Sequence, residues 1–363
     1  SRSAHIAFLV LVLLSSASIA QNPMDGFNPD ANAIVQKVAP AATGGIYVAG
    51  GYTSIGGVAR NRFSVVYPSG SLNNNYVVDV DGNVNAVVPL PTLQKVLIGG
   101  AFSTVNGVQH LNVARINFDG SVDSVFTAPN GAVRSIALQP DGKWIMGGYF
   151  TMVGSVPRNR VSRQNADGTG DNTFDPNVSG NVEVVVLQPD GKLLIGGFFS
   201  TVGGTARANI ARVNADGTLD TSFNASASLT VNAIELQPDG KILIGGAFTS
   251  VNGVGRNRIA RLNADGTLDA SFNPSMNNGI SAIVVQPDGL ILVGGAFSTV
   301  GGVSRPRLAR LKMDGSLDTD FTPTPDSEVY SIFVQRDGKI TFGGFFTSVN
   351  GVPRGRVNPT ARW

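Results

Sequence analysis

The string most suggestive of bound chemistry is Asn214-Ala215-Asp216-Gly217-Thr218-Leu219-Asp220, which recurs from Asn117, Asn165 and Asn263. Carboxylate and amide oxygens clustered around a glycine turn are what a calcium loop of the Asp-x-Asn-x-Asp-Gly kind uses. The first ligand of such a loop belongs two residues before each asparagine, where this chain has Arg115, Arg163, Arg212 and Arg261. A guanidinium there removes a ligand and repels the ion. The spacing therefore favours a hairpin turn in which Asn and Asp cap backbone groups, and no cofactor is expected, with calcium as the disfavoured alternative.

The inventory for catalysis is thin. Cys is absent, which excludes thiol nucleophiles, disulfides, zinc ribbons and iron–sulfur clusters. Of two histidines, His5 lies in an apolar leader, so a Ser-His-Asp triad would need His110, and no histidine cluster exists for a catalytic zinc. A glycosidase needs two carboxylates flanking one sugar bond. The glutamates are Glu183, Glu235 and Glu328, and nearly all aspartates fall at recurring turn positions. A non-enzyme is expected, with a carboxylate-based carbohydrate-active enzyme as the remaining catalytic alternative. Lys+Arg 27 against Asp+Glu 25 leaves a net charge of +2. That gives no basic excess for nucleic acid or an anionic membrane.

What must position any site is a repeat. A Gly-Gly pair closes an apolar run at Gly50, Gly99, Gly147, Gly196, Gly245, Gly294 and Gly343, at spacings of 48 or 49 residues. In the clearest copy, Val231 to Leu236 reads as a strand and Gln237-Pro238-Asp239-Gly240 as a tight turn. Lys241 to Gly246 is a second strand, Val251-Asn252-Gly253 a loop, Arg256 to Asn263 a third strand, and Leu268 to Phe272 a short fourth after Asp265-Gly266. No segment has helical period. Four antiparallel strands per copy and seven copies predict an all-β fold, a seven-bladed β-propeller of four-stranded blades. A linear β-solenoid is the competing fold, but its coils are usually shorter and carry no pair of Asp-Gly hairpins.

Arg2 and His5, the apolar run Ile6 to Leu14 and the small residues ending Ser18-Ile19-Ala20 read as a secretory signal cleaved after Ala20. A buried N-terminal helix or a retained anchor are the alternatives. The expected organisation is residues 1–20 as signal and 21–363 as propeller, secreted or on a bacterial surface. The seventh copy lacks its last Asp-Gly turn, while Met24-Asp25-Gly26-Phe27-Asn28-Pro29 echoes Ser271-Phe272-Asn273-Pro274. The N-terminal piece is thus expected to supply the outer strand of blade seven and close the ring, removing two exposed edges.

Three strings carry a family resemblance: Gln237-Pro238-Asp239-Gly240-Lys241, Gly245-Gly246-Ala247-Phe248, and Arg261-Leu262-Asn263-Ala264-Asp265-Gly266-Thr267-Leu268-Asp269-Ala270-Ser271-Phe272. Together they resemble the delta-60 repeat family of bacterial β-propellers. Copy one departs with Ala41-Ala42-Thr43-Gly44, and copy two with Leu90-Pro91-Thr92-Leu93. The resemblance implies secreted or surface-displayed propellers and supplies no catalytic residues.

Residues repeated in every copy are expected to build the blade. Phe102, Phe150, Phe199, Phe248, Phe297 and Phe346 read as inter-blade packing, with carbohydrate stacking as the alternative. Arg60, Arg158, Arg207, Arg256, Arg305 and Arg354 form one arginine ladder, in which His110 takes the place of the second copy's arginine. Arg115, Arg163, Arg212, Arg261 and Arg310 form another, in rhythm with Asp123, Asp171, Asp220, Asp269 and Asp318. Structural Arg–Asp ties are expected, ahead of a basic surface for phosphate or sulfated glycan. Function should sit where copies differ. The start of the first strand varies as Asn32, Asn85, Arg134, Glu183, Asn232, Ser281 and Tyr330. A ring of these around one mouth of a central channel is a candidate ligand site; ordinary solvated lining is the plainer reading. Two functions remain: a module recognising a protein or glycan, or a self-associating structural component of the surface or matrix. Neither nucleic acid nor stable membrane insertion after signal cleavage is expected.

Overall fold

Runs such as Ile242-Leu243-Ile244-Gly245-Gly246 show no polar alternation, so both faces of the strand need cover. In the computed structural model, which describes residues 27–41, 44–123 and 126–359, each run is the middle strand of a three-stranded antiparallel sheet. The fifth sheet is typical: Val231–Leu236 pairs with Ile242–Gly246, which pairs with Ile259–Leu262. Ser250–Val251 and Val254–Gly255 make a small ribbon between the second and third strands. Among the described residues there are seven such sheets and seven ribbons. Helical structure among them is one 3-10 turn, Pro91–Leu93, where the second copy lacks its Asp-Gly hairpin. The protein is all-β, built of propeller-like repeats.

The Gly-Gly pair follows from how the sheets stack. A Cβ on Gly245 would stand 2.6 Å from Ile280 Cγ2 and 2.8 Å from Ile283 Cδ1, side chains of the next sheet's first strand. A Cβ on Gly246 would meet the Thr230 carbonyl oxygen at 2.1 Å, where the first strand of its own sheet bulges between Val231 and Ala233. The first glycine admits the neighbouring sheet and the second admits a β-bulge. Phe248 and its counterparts are buried in the seams, as expected, and Tyr52 fills that place in the first copy.

The same stacking joins the two ends of the described chain. Gly343 of the seventh sheet faces Val35 and Val38 of the first. The Val38 N–H donates to Ser331 Oγ at 3.1 Å. The Ala31 N–H donates to the Gly355 carbonyl at 3.0 Å, and the Gly355 N–H to Asn28 Oδ1 at 2.8 Å.

Three expectations need correction. The fourth strand is reduced to a single bridge, Leu262 to Leu268 in the fifth copy. Beyond it the chain turns, because the Asp269 carboxylate accepts from the Ser271 N–H and Oγ, and Phe272 drops beside Gly315 of the next copy. The third strand begins at Ile259, later than Arg256, because Arg258 adopts φ 69° and breaks the extended chain. Phe27-Asn28-Pro29 forms no strand on the seventh sheet. Phe27 is instead buried beside Gly70, in the place Phe272 takes beside Gly315. Residues 1–20, read as the signal, lie outside the described residues, as do Met24, Asp25 and Gly26 of the Met24–Pro29 piece. Among the described residues no helix is long and apolar enough to cross a membrane.

Candidate functional site

Every first strand carries its bulge at the same point, between Val35 and Lys37 in the first sheet and between Val329 and Ser331 in the seventh. The bulged residue is freed from the ladder and re-aimed. These residues are Gln36, Asn85, Arg134, Glu183, Asn232, Ser281 and Tyr330, and all of them line one cavity of about 620 Å³. The first strands of all seven sheets contribute to its wall. Six of the seven residues expected from sequence are thereby brought together. The exception is Asn32. The first copy's strand starts at Val35, which makes Gln36 the equivalent residue. Asn32 lies in the preceding loop, where Oδ1 accepts from the N–H groups of Thr53 and Ser54 at 2.9 and 3.1 Å. Asp81, Asn130, Ser179, Ser228, Asn277 and Asp326 cap their own loops in the same way. Asn32 is therefore one of the repeated building residues.

The mouth of the cavity is polar and largely self-satisfied. Arg134 Nε donates to Glu183 Oε2 at 2.9 Å, and the Tyr149 hydroxyl donates to Glu183 Oε1 at 2.5 Å. The Arg134 guanidinium lies 5.6 Å from the Tyr149 ring centre, and burial together with the Glu183 hydrogen bond pushes the Tyr149 phenol up to about 12. Asn85 and Asn232 donate to the Val133 and Ile280 carbonyls of the following sheets, while Tyr330 donates to Glu328. Tyr149, Phe198 and Phe345 follow the Gly-Gly pair in their copies and are 37%, 58% and 50% exposed. Sequence inspection missed this aromatic set, although the position differs among copies just as the bulge does. It also missed Arg62, Arg160, Arg258, Arg307 and Arg356, all with φ between 63° and 69°. Each donates through Nη1 to the carbonyl of the residue after a Gly-Gly pair or its counterpart, Gly51 and Tyr149 among them. The repeated Arg-x-Arg spacing was the available signal.

Below the mouth the wall is mostly small or apolar, with Ser135, Val184, Ala233, Ala282 and Ser331. Two charged residues interrupt it, Lys37 from the first sheet and Glu235 from the fifth. Burial pushes Glu235 up to about 7 against the pull of the Val285 N–H and the Lys37 charge. Burial likewise lowers Lys37, opposed by the Glu235 charge.

The arginine and aspartate ladders are structural, as expected, and Lys joins them. Arg212 Nε and Lys192 Nζ both reach Asp220 Oδ2 at 2.7 Å. Asp220 Oδ1 accepts from the Ser222 N–H and Oγ, and Arg212 Nη1 reaches the Ala264 carbonyl of the next copy. The guanidinium lies 4.8 Å from the Phe223 ring centre. The same knot forms at Asp171 and Asp269. Burial works to raise these carboxyls, but the hydrogen bonds from lysine, arginine and hydroxyl outweigh it and hold all three well below the usual carboxylate range. Arg158 of the other ladder donates to the Pro157 and Asn172 carbonyls and pairs more loosely with Asp175, at 3.6 Å.

The calcium-like loops are hairpin turns. Asp216 Oδ1 accepts from the Thr218 N–H and Oγ1, and Asn214 Nδ2 donates to Thr218. Among the described residues, no group of three His, Asp or Glu side chains gathers to hold a metal. His110 is buried at the ladder position, where its backbone N–H donates to the Ser103 carbonyl as the Arg158 backbone N–H donates to that of Thr151.

Stacked sheets around a cavity lined by their first strands define a propeller-like repeat protein. The family model described as "Domain of unknown function (DUF5122) beta-propeller" matches residues 95–126, 139–174, 188–223, 237–272, 286–321 and 335–357, more than half of the chain. The chain belongs to that family. It is also similar in fold to the crystal structure of the WD40 beta propeller domain of Doa1, with a TM-score of 0.62 and 15% identity over 93% of this chain and 95% of that one. No curated protein matches.

Proposed function

We propose that the chain is a closed seven-bladed ring, secreted or displayed on a cell surface, that recognises a protein or glycan at the mouth of its axial cavity and does no chemistry on it. The carrying observation is the cavity of about 620 Å³, walled by every first strand, whose mouth residues differ from copy to copy. Repeated knots supply the frame, and the bulges turn seven copy-specific residues toward one opening. Half-exposed Tyr149 adds to this opening a flat face of the kind that stacks on sugars or aromatic side chains, while Phe198 and Phe345 are exposed outside the cavity lining. Contacts between first and seventh sheets support closure, and the leader-like residues 1–20 support export. The delta-60 likeness agrees with both.

A glycan array and a pull-down with residues 21–363 test this reading. The triple substitution of Arg134, Glu183 and Tyr330 by Ala should abolish capture of whatever binds while the fold persists. Unaltered capture would rule the mouth out. The half-exposed Phe198 and Phe345 also favour a second reading, self-association into a structural layer. Light scattering separates the two: ordered oligomers would support the layer, and a monodisperse monomer the recognition module.

A further inference from the structure

The charged groups of the axial cavity fall into two sets. Arg134 and Glu183 are bonded to each other, and Tyr149 takes the second oxygen of Glu183. Lys37 and Glu235 face the same cavity, close enough to feel one another's charge, yet no ion pair joins them. Glu235 accepts one long bond, from the Val285 N–H at 3.5 Å, and the Lys37 ammonium has no hydrogen-bond partner in the protein. An ammonium offers three donors and a carboxylate about four acceptor sites. Both side chains are half-buried, and their polar ends open onto the cavity, away from protein donors or acceptors. Equivalent positions carry Ala86, Ser135, Val184, Ala233, Ala282 and Ser331 for Lys37, and Ala39, Val88, Ala137, Val186, Val284 and Phe333 for Glu235. Neither charge is thus part of the repeat's own construction.

We propose that the cavity below the mouth binds a small zwitterion, its ammonium held by Glu235 and its carboxylate by Lys37. The two protein charges come from the first and fifth sheets, so the ligand lies across the cavity with its charged ends apart. An ω-amino carboxylate has this form. Each end brings a countercharge that the protein does not place at ion-pair distance, and the direction in which both groups are perturbed agrees with that lack. A cavity of about 620 Å³ accommodates such a molecule with its aliphatic centre against Val184, Val186 and Val284. This inference rests on the axial cavity being a binding site, but on its floor, not on its mouth.

The test is calorimetry at neutral pH with glycine, 3-aminopropanoate, 4-aminobutanoate, 5-aminopentanoate and 6-aminohexanoate as rulers. Butylamine and butanoate serve as half-ligands. One chain length should bind saturably at one site per chain and more tightly than either half-ligand. Lys37→Met and Glu235→Gln should each weaken it roughly tenfold or more, and the exchange Lys37→Glu with Glu235→Lys should restore part of the affinity. Each single variant should melt close to the parent, since no ion pair is broken. Failure of every member to bind, or binding that survives both substitutions, would overturn the proposal. So would single variants that both melt lower with a favourable coupling in the double, which would make the two residues a structural ion bridge. The mouth variant of Arg134, Glu183 and Tyr330 separates the two readings: it should retain amino-acid binding while losing the macromolecular partner.

Discussion

The Arg212–Asp220–Lys192 knot and the Lys37–Glu235 region use the same two charge types to opposite effect. In the knot every carboxylate oxygen is taken by a donor from the same copy, and the guanidinium reaches on to the next copy's carbonyl. The arrangement recurs at Asp171 and Asp269. In the cavity the carboxylate and the ammonium line one wall without an ion pair between them, and neither recurs. Saturation with repetition marks a part that holds the molecule together. Unfilled valence without repetition marks a part the fold does not need.

The largest expected effect lies in the seams. Phe248→Ala removes a fully buried ring between sheets, and chemical denaturation should show a loss of about 3–5 kcal/mol. A loss well under that would mean the repeated aromatics are not structural, and the comparison would break at its base. Next comes the knot. Asp220→Ala leaves Arg212 buried without its carboxylate, which should cost about 3 kcal/mol. Alanine at Arg134, Glu183 and Tyr330 together should shift the melt far less than this one substitution.

Acid sharpens the contrast. Asp171, Asp220 and Asp269 are held below the ordinary carboxylate range. They contribute stability that is fully present above about pH 4 and lost as pH falls through their folded values. Melting temperature should therefore decline below about pH 4, and Asp220→Asn should flatten that decline while lowering the melt at neutral pH. The smallest effects separate the cap from the bulge in the first copy. Asn32→Ala removes a cap on the Thr53 and Ser54 amides and should cost about 1 kcal/mol by denaturation without touching ligand affinity. Gln36→Ala should do the reverse.

The sequence made the repeat, the seam aromatics, the Arg–Asp ties and six of the seven mouth residues legible, because each recurs at a fixed or nearly fixed offset from a glycine pair. Asn32 was misplaced because an asparagine just ahead of an apolar strand looks the same whether it caps a loop or fills a bulge, and only the pairing of Val35 with Gly50 distinguishes them. The fourth strand was overread because Leu268-Asp269-Ala270-Ser271-Phe272 alternates like a strand, whereas the Asp269 side chain competes for the backbone and turns it. Lys37 and Glu235 lie on different sheets 198 positions apart, and no local pattern joins two residues that only the stacking of sheets brings to one cavity.

In the proposed ring, seven sheets share one axis and the first packs against the last. The chain contains no cysteine, so Ala59→Cys and Pro353→Cys, at equivalent exposed points of the first and last ribbons, can carry a spin-label pair without further change. Neighbouring sheets pack about 10 Å apart. Dipolar spectroscopy should report a separation of about 20 Å across such a seam, and a distance near 60 Å, the span of seven sheets laid in a row, would contradict the account.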